Sequence, residues 1–291
     1  MSGMSGMSGL KVGRIPYINC YPVYGAIDRG LVPMSGTLVD GLPTHLNRLM
    51  ATGALDVSVV SAVEYAHDAD RFLLLPDLAI TCDGPVRSVM LFSRVPAPEL
   101  GGRRVLVSTS SMTSVELLRQ LFRERWHAAP EFVPADAEVA DVANFGAETH
   151  AARLVIGDAA LMLDAARRGD AAADGAPHYP FAYDLGAEWK AWTGLPFVFA
   201  VWVAQRTTPV AASLAVHAAL IASRDWGVTH LDELATQAHE RTGISALECR
   251  EYFDGLDYRL SYKHLAGLTE FFRRLVTAGR VPDGRLAFLP A

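Results

Sequence analysis

Apolar positions follow two periods along the chain. A β-prone run at Lys11–Ile15 stops at Pro16, which cannot donate to a sheet ladder. Tyr17–Pro22 then turns the chain into a helix around Val23–Arg29, closed by Gly30. Pro43–Thr44 opens a second helix with Leu46, Leu49 and Met50 on one face and Gly53 past its end. Asp56–Val60 is an apolar strand at a spacing that suits a βαβ unit. A further strand is predicted over Arg87–Ser93, and Arg94–Pro98 reads as a crossing into a second unit.

The second unit begins with a β-branched run, Arg103–Val107. A polar stretch, Ser108–Ser114, leads into a helix that turns Val115, Leu118, Leu121 and Phe122 inward. Short strands follow at Phe132–Val133 and Arg153–Ile156, the latter ending in Gly157–Asp158 before an Ala/Leu helix. Phe181–Leu185 and Phe197–Ala204 complete the strands, and the continuous apolar run of the latter suits a buried segment that carries the chain back. From Val210 onward the pattern is helical, its last stretch placing Leu265, Leu268, Phe272 and Leu275 on one face. The expectation is an α/β protein of two lobes with mainly parallel sheets and a central cleft where strand ends and helix starts meet. Residues 10–95 and 206–291 are assigned to a discontinuous first lobe, 96–205 to the second, and 1–9 to a disordered tail.

Composition narrows the class. A chain of 291 residues with 51% hydrophobic and 20% charged residues can build two cores. The net charge of -6, with no block of Lys or Arg, disfavours nucleic acid as a partner. An anionic substrate would need locally placed donors. Three widely spaced cysteines without a CxxC pair fit a reducing, cytoplasmic setting. The Met-Ser-Gly repeat at Met1–Gly9 has neither the basic nor the apolar region of a signal peptide. No apolar run reaches the ~18 residues of a membrane span, so no membrane association is expected.

The nine histidines are scattered, and His239–Glu240 lacks the second histidine of a zinc-protease helix, so no catalytic metal is expected. GxxxxGK, GxGxxG and GxSxG patterns are missing. Neutral hydrogen-bonding residues after strand ends remain. Six hydroxyls crowd the seven positions Ser108–Ser114 at a helix start, more than capping requires, and such a start can hold a carboxylate. Asn19 lies beyond a strand end, where it can form a turn or both donate to and accept from a ligand. Ser61 is balanced between an N-cap and a cleft residue, Ser88 between cleft and backbone, and Asp158 reads first as an N-cap. Arg87 would point away from Ser88 in a regular strand.

Ile15–Pro22, Cys82–Ser88, Ser108–Ser114, Val155–Leu161 and above all the long Tyr183–Trp202 segment resemble the chorismate dehydratases of menaquinone biosynthesis, in the same order along the chain. The N-terminal repeat has no counterpart there. The resemblance implies the type II periplasmic-binding-protein fold, no cofactor and no metal, and dehydration of chorismate to 3-(1-carboxyvinyloxy)benzoate in the futalosine route. It places catalytic roles on Asn19 and Ser88 and substrate binding on Ser110, Ser111, Thr113 and Ser114. Ser61 and Asp158 are further binding candidates by their position at strand ends alone. A small-anion binder on the same fold, or the sister enzyme 1,4-dihydroxy-6-naphthoate synthase, is the alternative. The Asn-Cys-Tyr-Pro loop and the Trp-Lys-Ala-Trp-Thr-Gly-Leu-Pro run favour the dehydratase.

Overall fold

The computed structural model describes residues 9–135, 150–168 and 179–290. Of the expected tail, only Gly9 is among them. The strands are β1 (Lys11–Arg14), β2 (Thr37–Asp40), β3 (Val57–Ser61), β4 (Phe72–Cys82), β5 (Val89–Ser93), β6 (Arg104–Ser108), β7 (Glu131–Ala135), β8 (Ala152–Ile156), β9 (Phe181–Asp184) and β10 (Phe197–Gln205). The helices are α1 (Tyr21–Asp28), α2 (Pro43–Ala51), α3 (Ala62–His67), α4 (Met112–Glu124), α5 (Gly157–Arg168), α6 (Leu185–Thr193), α7 (Val210–Gly227), α8 (Leu231–Thr242), α9 (Ala246–Asp254) and α10 (Tyr262–Thr277).

Two five-stranded sheets result, ordered β2-β1-β3-β10-β4 and β7-β6-β8-β5-β9. Both are mixed and not mainly parallel. In each, the first three strands are parallel, while β10 or β5 runs against both of its neighbours. These two strands are the ones that enter from the other sheet. They start where their neighbours end, so the short connections at 83–88 and 194–196 reverse their direction.

This corrects the boundaries read from the pattern. Residue 95 lies past β5, which belongs to the second sheet, and residue 205 closes β10, which belongs to the first. Both crossings therefore come one strand earlier than expected. Apolar runs of this kind mark burial and do not say which sheet receives them.

β2 and β4 carry weak alternation signals. β4 contains Pro76 and Asp77, the latter at φ 53, and its pairing with β10 jumps from Leu74↔Val203 to Ala79↔Val201. The bulge is tolerated because β4 is an edge strand. The Pro76 carbonyl sits 2.8 Å from His217 Nε2.

The core is continuous across both sheets and holds Trp189 and Trp202 fully buried. Trp202 Nε1 donates to Tyr24 Oη (3.0 Å), which donates in turn to the Gly13 carbonyl (3.2 Å). The second crossing packs on α10 at Gly267, where a Cβ would lie 2.0 Å from the Pro196 carbonyl oxygen. Trp189 Nε1 donates to that same oxygen (3.2 Å). No helix among the described residues is long and apolar enough to cross a membrane.

Candidate active site

Strand pairing sets the floor of a pocket between the two sheets. Ser61 faces Ala200 across β3 and β10, Ala200 faces Ile80 across β10 and β4, and Val89 faces Ile156 across β5 and β8. All five residues line a cavity of about 600 Å³, counted with its open mouth. Asn19, Ser88, Ser111 and Ser114 join them, so the structure gathers five of the eight residues singled out from sequence. Ser110, Thr113 and Asp158 lie outside the lining.

Asn19 sits on a 3₁₀ turn, Ile18–Cys20, directly after β1. Pro16 ends the strand, and the Cys20 N–H closes the turn on the Tyr17 carbonyl (3.1 Å). The turn is held from the other side of the cleft by Asp158, whose Oδ1 accepts the Ile18 N–H (3.1 Å). Asp158 Oδ2 meets Arg241 Nε at 3.3 Å, so this carboxylate shapes the Asn19 loop. Gly157 has φ +65, and a Cβ there would come within 3.0 Å of the Tyr17 ring. Asn19 Oδ1 is buried and accepts no hydrogen bond. An orphaned amide oxygen costs about 1–3 kcal/mol, so its retention at a pocket wall needs a reason beyond turn formation.

Ser61 caps α3, accepting the Glu64 N–H (3.2 Å), and exchanges two bonds with buried Asn47: Nδ2 to Ser61 Oγ (3.2 Å) and Ser61 N–H to Oδ1 (3.3 Å). Ser111 caps α4 in the same way, accepting the Ser114 N–H (3.2 Å), and its hydroxyl donates to Ser114 Oγ (2.8 Å). Thr113 is 1% exposed and accepts the Val63 N–H (3.1 Å), which joins the starts of α3 and α4 across the cleft. Ser110 is buried, its N–H donating to Ser108 Oγ (3.0 Å).

Ser88 follows a tight turn at the first crossing. Its N–H donates to the Val86 carbonyl (2.7 Å) across Arg87, which has φ 60. Arg87 is therefore not in a regular strand. Its guanidinium reaches the Glu248 carbonyl (3.4 Å) and Glu251 (3.8 Å) on α9. Asp184 holds the turn from the second sheet, accepting N–H groups from Val86 (3.0 Å), Arg87 (2.6 Å) and Ala187 (3.0 Å). Burial raises the Asp184 carboxyl although these donors oppose the shift. Ser88 Oγ accepts a hydrogen bond from Tyr252 Oη at 2.8 Å.

No Arg, Lys, His, Asp or Glu lines the pocket among the described residues. Burial pushes the Cys20 thiol far above its ordinary range, so it stays protonated. The field inside comes from neutral dipoles: Asn19, four serine hydroxyls, and the starts of α4 and α5, which carry partial positive charge. Such a pocket can hold an anion, orient a hydroxyl and exclude water, but it offers no strong protein base. Among the described residues, no three His, Cys, Asp or Glu side chains come together as a metal site would require.

Residues 10–277 match the model of a family described as menaquinone biosynthesis. The chain belongs to the menaquinone biosynthesis family. The chorismate dehydratase of Thermus thermophilus is 32% identical over 248 residues, covering 82% of this chain and 86% of its own. A solved structure from Archaeoglobus fulgidus is similar with TM-score 0.75 and 17% identity, covering 95% of this chain and all of that one. The periplasmic aliphatic sulphonate binding protein SsuA of Escherichia coli is similar with TM-score 0.62 and 15% identity over 97% and 91% of the two chains. These likenesses establish the periplasmic-binding-protein fold for this menaquinone biosynthesis family member. Asn47, Asp184 and Tyr252 support the site through contacts that the fold brings together: Asn47 with Ser61, Asp184 with the Val86 and Arg87 N–H groups, and Tyr252 with Ser88.

Proposed function

We propose that the protein is a hydro-lyase that removes water from chorismate to give 3-(1-carboxyvinyloxy)benzoate, acting in the cytoplasm. The observation that carries this reading is Asn19: an amide whose oxygen is buried and unpaired, in a pocket that no charged side chain lines among the described residues. The 32% identity with a chorismate dehydratase supports the same substrate. Three buried cysteines, all unpaired, are compatible with a reducing compartment.

The reaction breaks a C–H bond and a C–O bond on adjacent ring carbons. The C–H electron pair becomes a ring π bond, hydroxide leaves, and the freed proton completes a water molecule. Aromatisation drives the step, so the protein must mainly orient the dianion and help hydroxide depart. Asn19 orients the hydroxyl, and Ser88 contributes a second neutral contact. The α4 start with Ser111 and Ser114 receives one carboxylate, with Ser61 on the facing wall. With no base in the wall among the described residues, the enolpyruvyl carboxylate of the substrate takes the proton. Cross-cleft links through Asp158 and Thr113 favour the closed, water-poor arrangement in which these contacts strengthen.

The test is incubation with chorismate alone, followed by ultraviolet absorbance and chromatographic identification of the product. Formation of 3-(1-carboxyvinyloxy)benzoate without added cofactor supports the reading. Binding of chorismate with an unchanged spectrum makes the protein a binder and overturns it.

A further inference from the structure

We propose that Tyr252, outside the pocket on α9, is a positioning residue: by donating to Ser88 Oγ it turns the Ser88 proton toward the substrate. The inference rests on the dehydratase reading and adds a residue to it. A serine hydroxyl has one proton and two acceptor positions. Tyr252 Oη lies 2.8 Å from Ser88 Oγ and fills one of those acceptor positions. Ser88 is left with its own proton to place. Among the described residues its proton is given to the Val86 carbonyl at 3.4 Å, the outer limit of a useful bond. That carbonyl already takes the Ser88 N–H at 2.7 Å. An oxygen of a bound ligand is the better partner, since Ser88 lines the pocket.

Two further features keep Tyr252 a donor and Ser88 in place. Tyr252 is 2% exposed, and burial pushes its phenol well above the ordinary range, so its proton stays on throughout the neutral region. The turn carrying Ser88 is fastened from both sides: Arg87 reaches Glu248 and Glu251 on α9, and Asp184 accepts the Val86 and Arg87 N–H groups. Ser88 therefore has little freedom to rotate away from Tyr252. The arrangement makes Ser88 a hydrogen-bond donor in the reaction, where a free serine could equally accept.

The experiment compares wild type, Tyr252→Phe, Ser88→Ala and the double variant in steady-state turnover of chorismate, with thermal midpoints on the same preparations. Tyr252→Met, apolar and also lacking the donor, serves as the second variant should the phenylalanine form fold poorly. The expected result is a fall in kcat of about tenfold for Tyr252→Phe, the scale of one oriented hydrogen bond, with KM changed less than about twofold. In the Ser88→Ala background the tyrosine substitution should cost nothing further, because its route to the substrate is already gone. Wild-type kcat in both tyrosine variants, or losses that multiply in the double variant, would overturn the inference while leaving the dehydratase intact. A wild-type protein inert toward chorismate would overturn the function itself, and this role with it.

Discussion

The two sheets share one plan and differ in what they present to the cleft. Each has three parallel strands, an incoming antiparallel strand in fourth place and an edge strand. The turn after β1 corresponds to the loop after β6, and the turn after β3 to the one after β8. In the second sheet the loop after β6 is polar and satisfied within itself: Ser111 caps α4, donates to Ser114, and leaves a helix start aimed at the pocket. In the first sheet the turn after β1 brings Tyr17 and Asn19 to the pocket, and the Asn19 amide oxygen has no donor. A satisfied hydroxyl cluster can receive an anion with little rearrangement. An unsatisfied amide is free to strengthen its contact as the C–O bond breaks, which suits a group that acts on the reacting bond.

Substitutions on the two sides should therefore fail in different ways. Asn19→Ala is expected to lower kcat by ~10²-fold or more, comparable to removing one preorganised hydrogen bond in the transition state, with little change in chorismate affinity or thermal midpoint. A variant that melts earlier yet turns over at the wild-type rate would return Asn19 to the role of a turn former and shift the catalytic weight to Ser88. On the other side, Ser114→Ala is expected to weaken chorismate binding by ~1–2 kcal/mol, the range for a hydrogen bond to a charged group. Isothermal titration resolves that difference, and unchanged affinity would reduce the α4 hydroxyls to capping.

Thr113, next to Ser114, sharpens the contrast. Its hydroxyl accepts the Val63 N–H and is not in the pocket wall. Thr113→Val should cost ~1 kcal/mol of stability, as the loss of a capping bond does, and should affect chorismate affinity less than Ser114→Ala. An equal loss of affinity in both variants would mean that the cross-cleft link matters to binding as much as the hydroxyl that faces the ligand.

Local rules explain why some of this was legible in the sequence. Strand ends, helix starts and the hydroxyl crowding at Ser108–Ser114 are short-range signals, and they located Asn19, Ser61, Ser111 and Ser114 at the ends of the right elements. The destination of β5 and β10 was not legible, because an apolar run records burial and not its partner strand. β4 was hidden by Pro76, which reads as a strand breaker and here marks a bulge in an edge strand. Thr113 and Asp158 look like ligand groups or caps in the sequence. In the structure Thr113 accepts a backbone N–H from across the cleft, and so does Asp158, a pairing that no spacing rule anticipates. Tyr252 and Ser88 are separated by 164 residues, so only the fold reveals their contact.

The smallest effect expected is an absence of pH dependence. If a protein side chain were the base, kcat would follow its ionisation, and the usual candidates titrate between about pH 5 and 8. The wall contains none of them among the described residues. Cys20 is held protonated by burial, and Tyr252 behind Ser88 likewise keeps its proton. The buried histidines are pushed the other way: burial lowers His264 and, together with nearby arginines, takes His150 down to about 4. His150 is therefore neutral across the range of interest. A substrate carboxylate acting as base titrates well below neutrality. With proton acceptor and leaving-group contacts constant, kcat should stay within about twofold from roughly pH 6 to 9, where neither Cys20 nor Tyr252 changes its charge. Stopped assays with product separation across that range, at saturating chorismate, provide the measurement. A limb of unit slope falling toward acid would require a protein group with a pKa near neutrality. Such a group would have to sit on a side chain that approaches the pocket only when chorismate is bound.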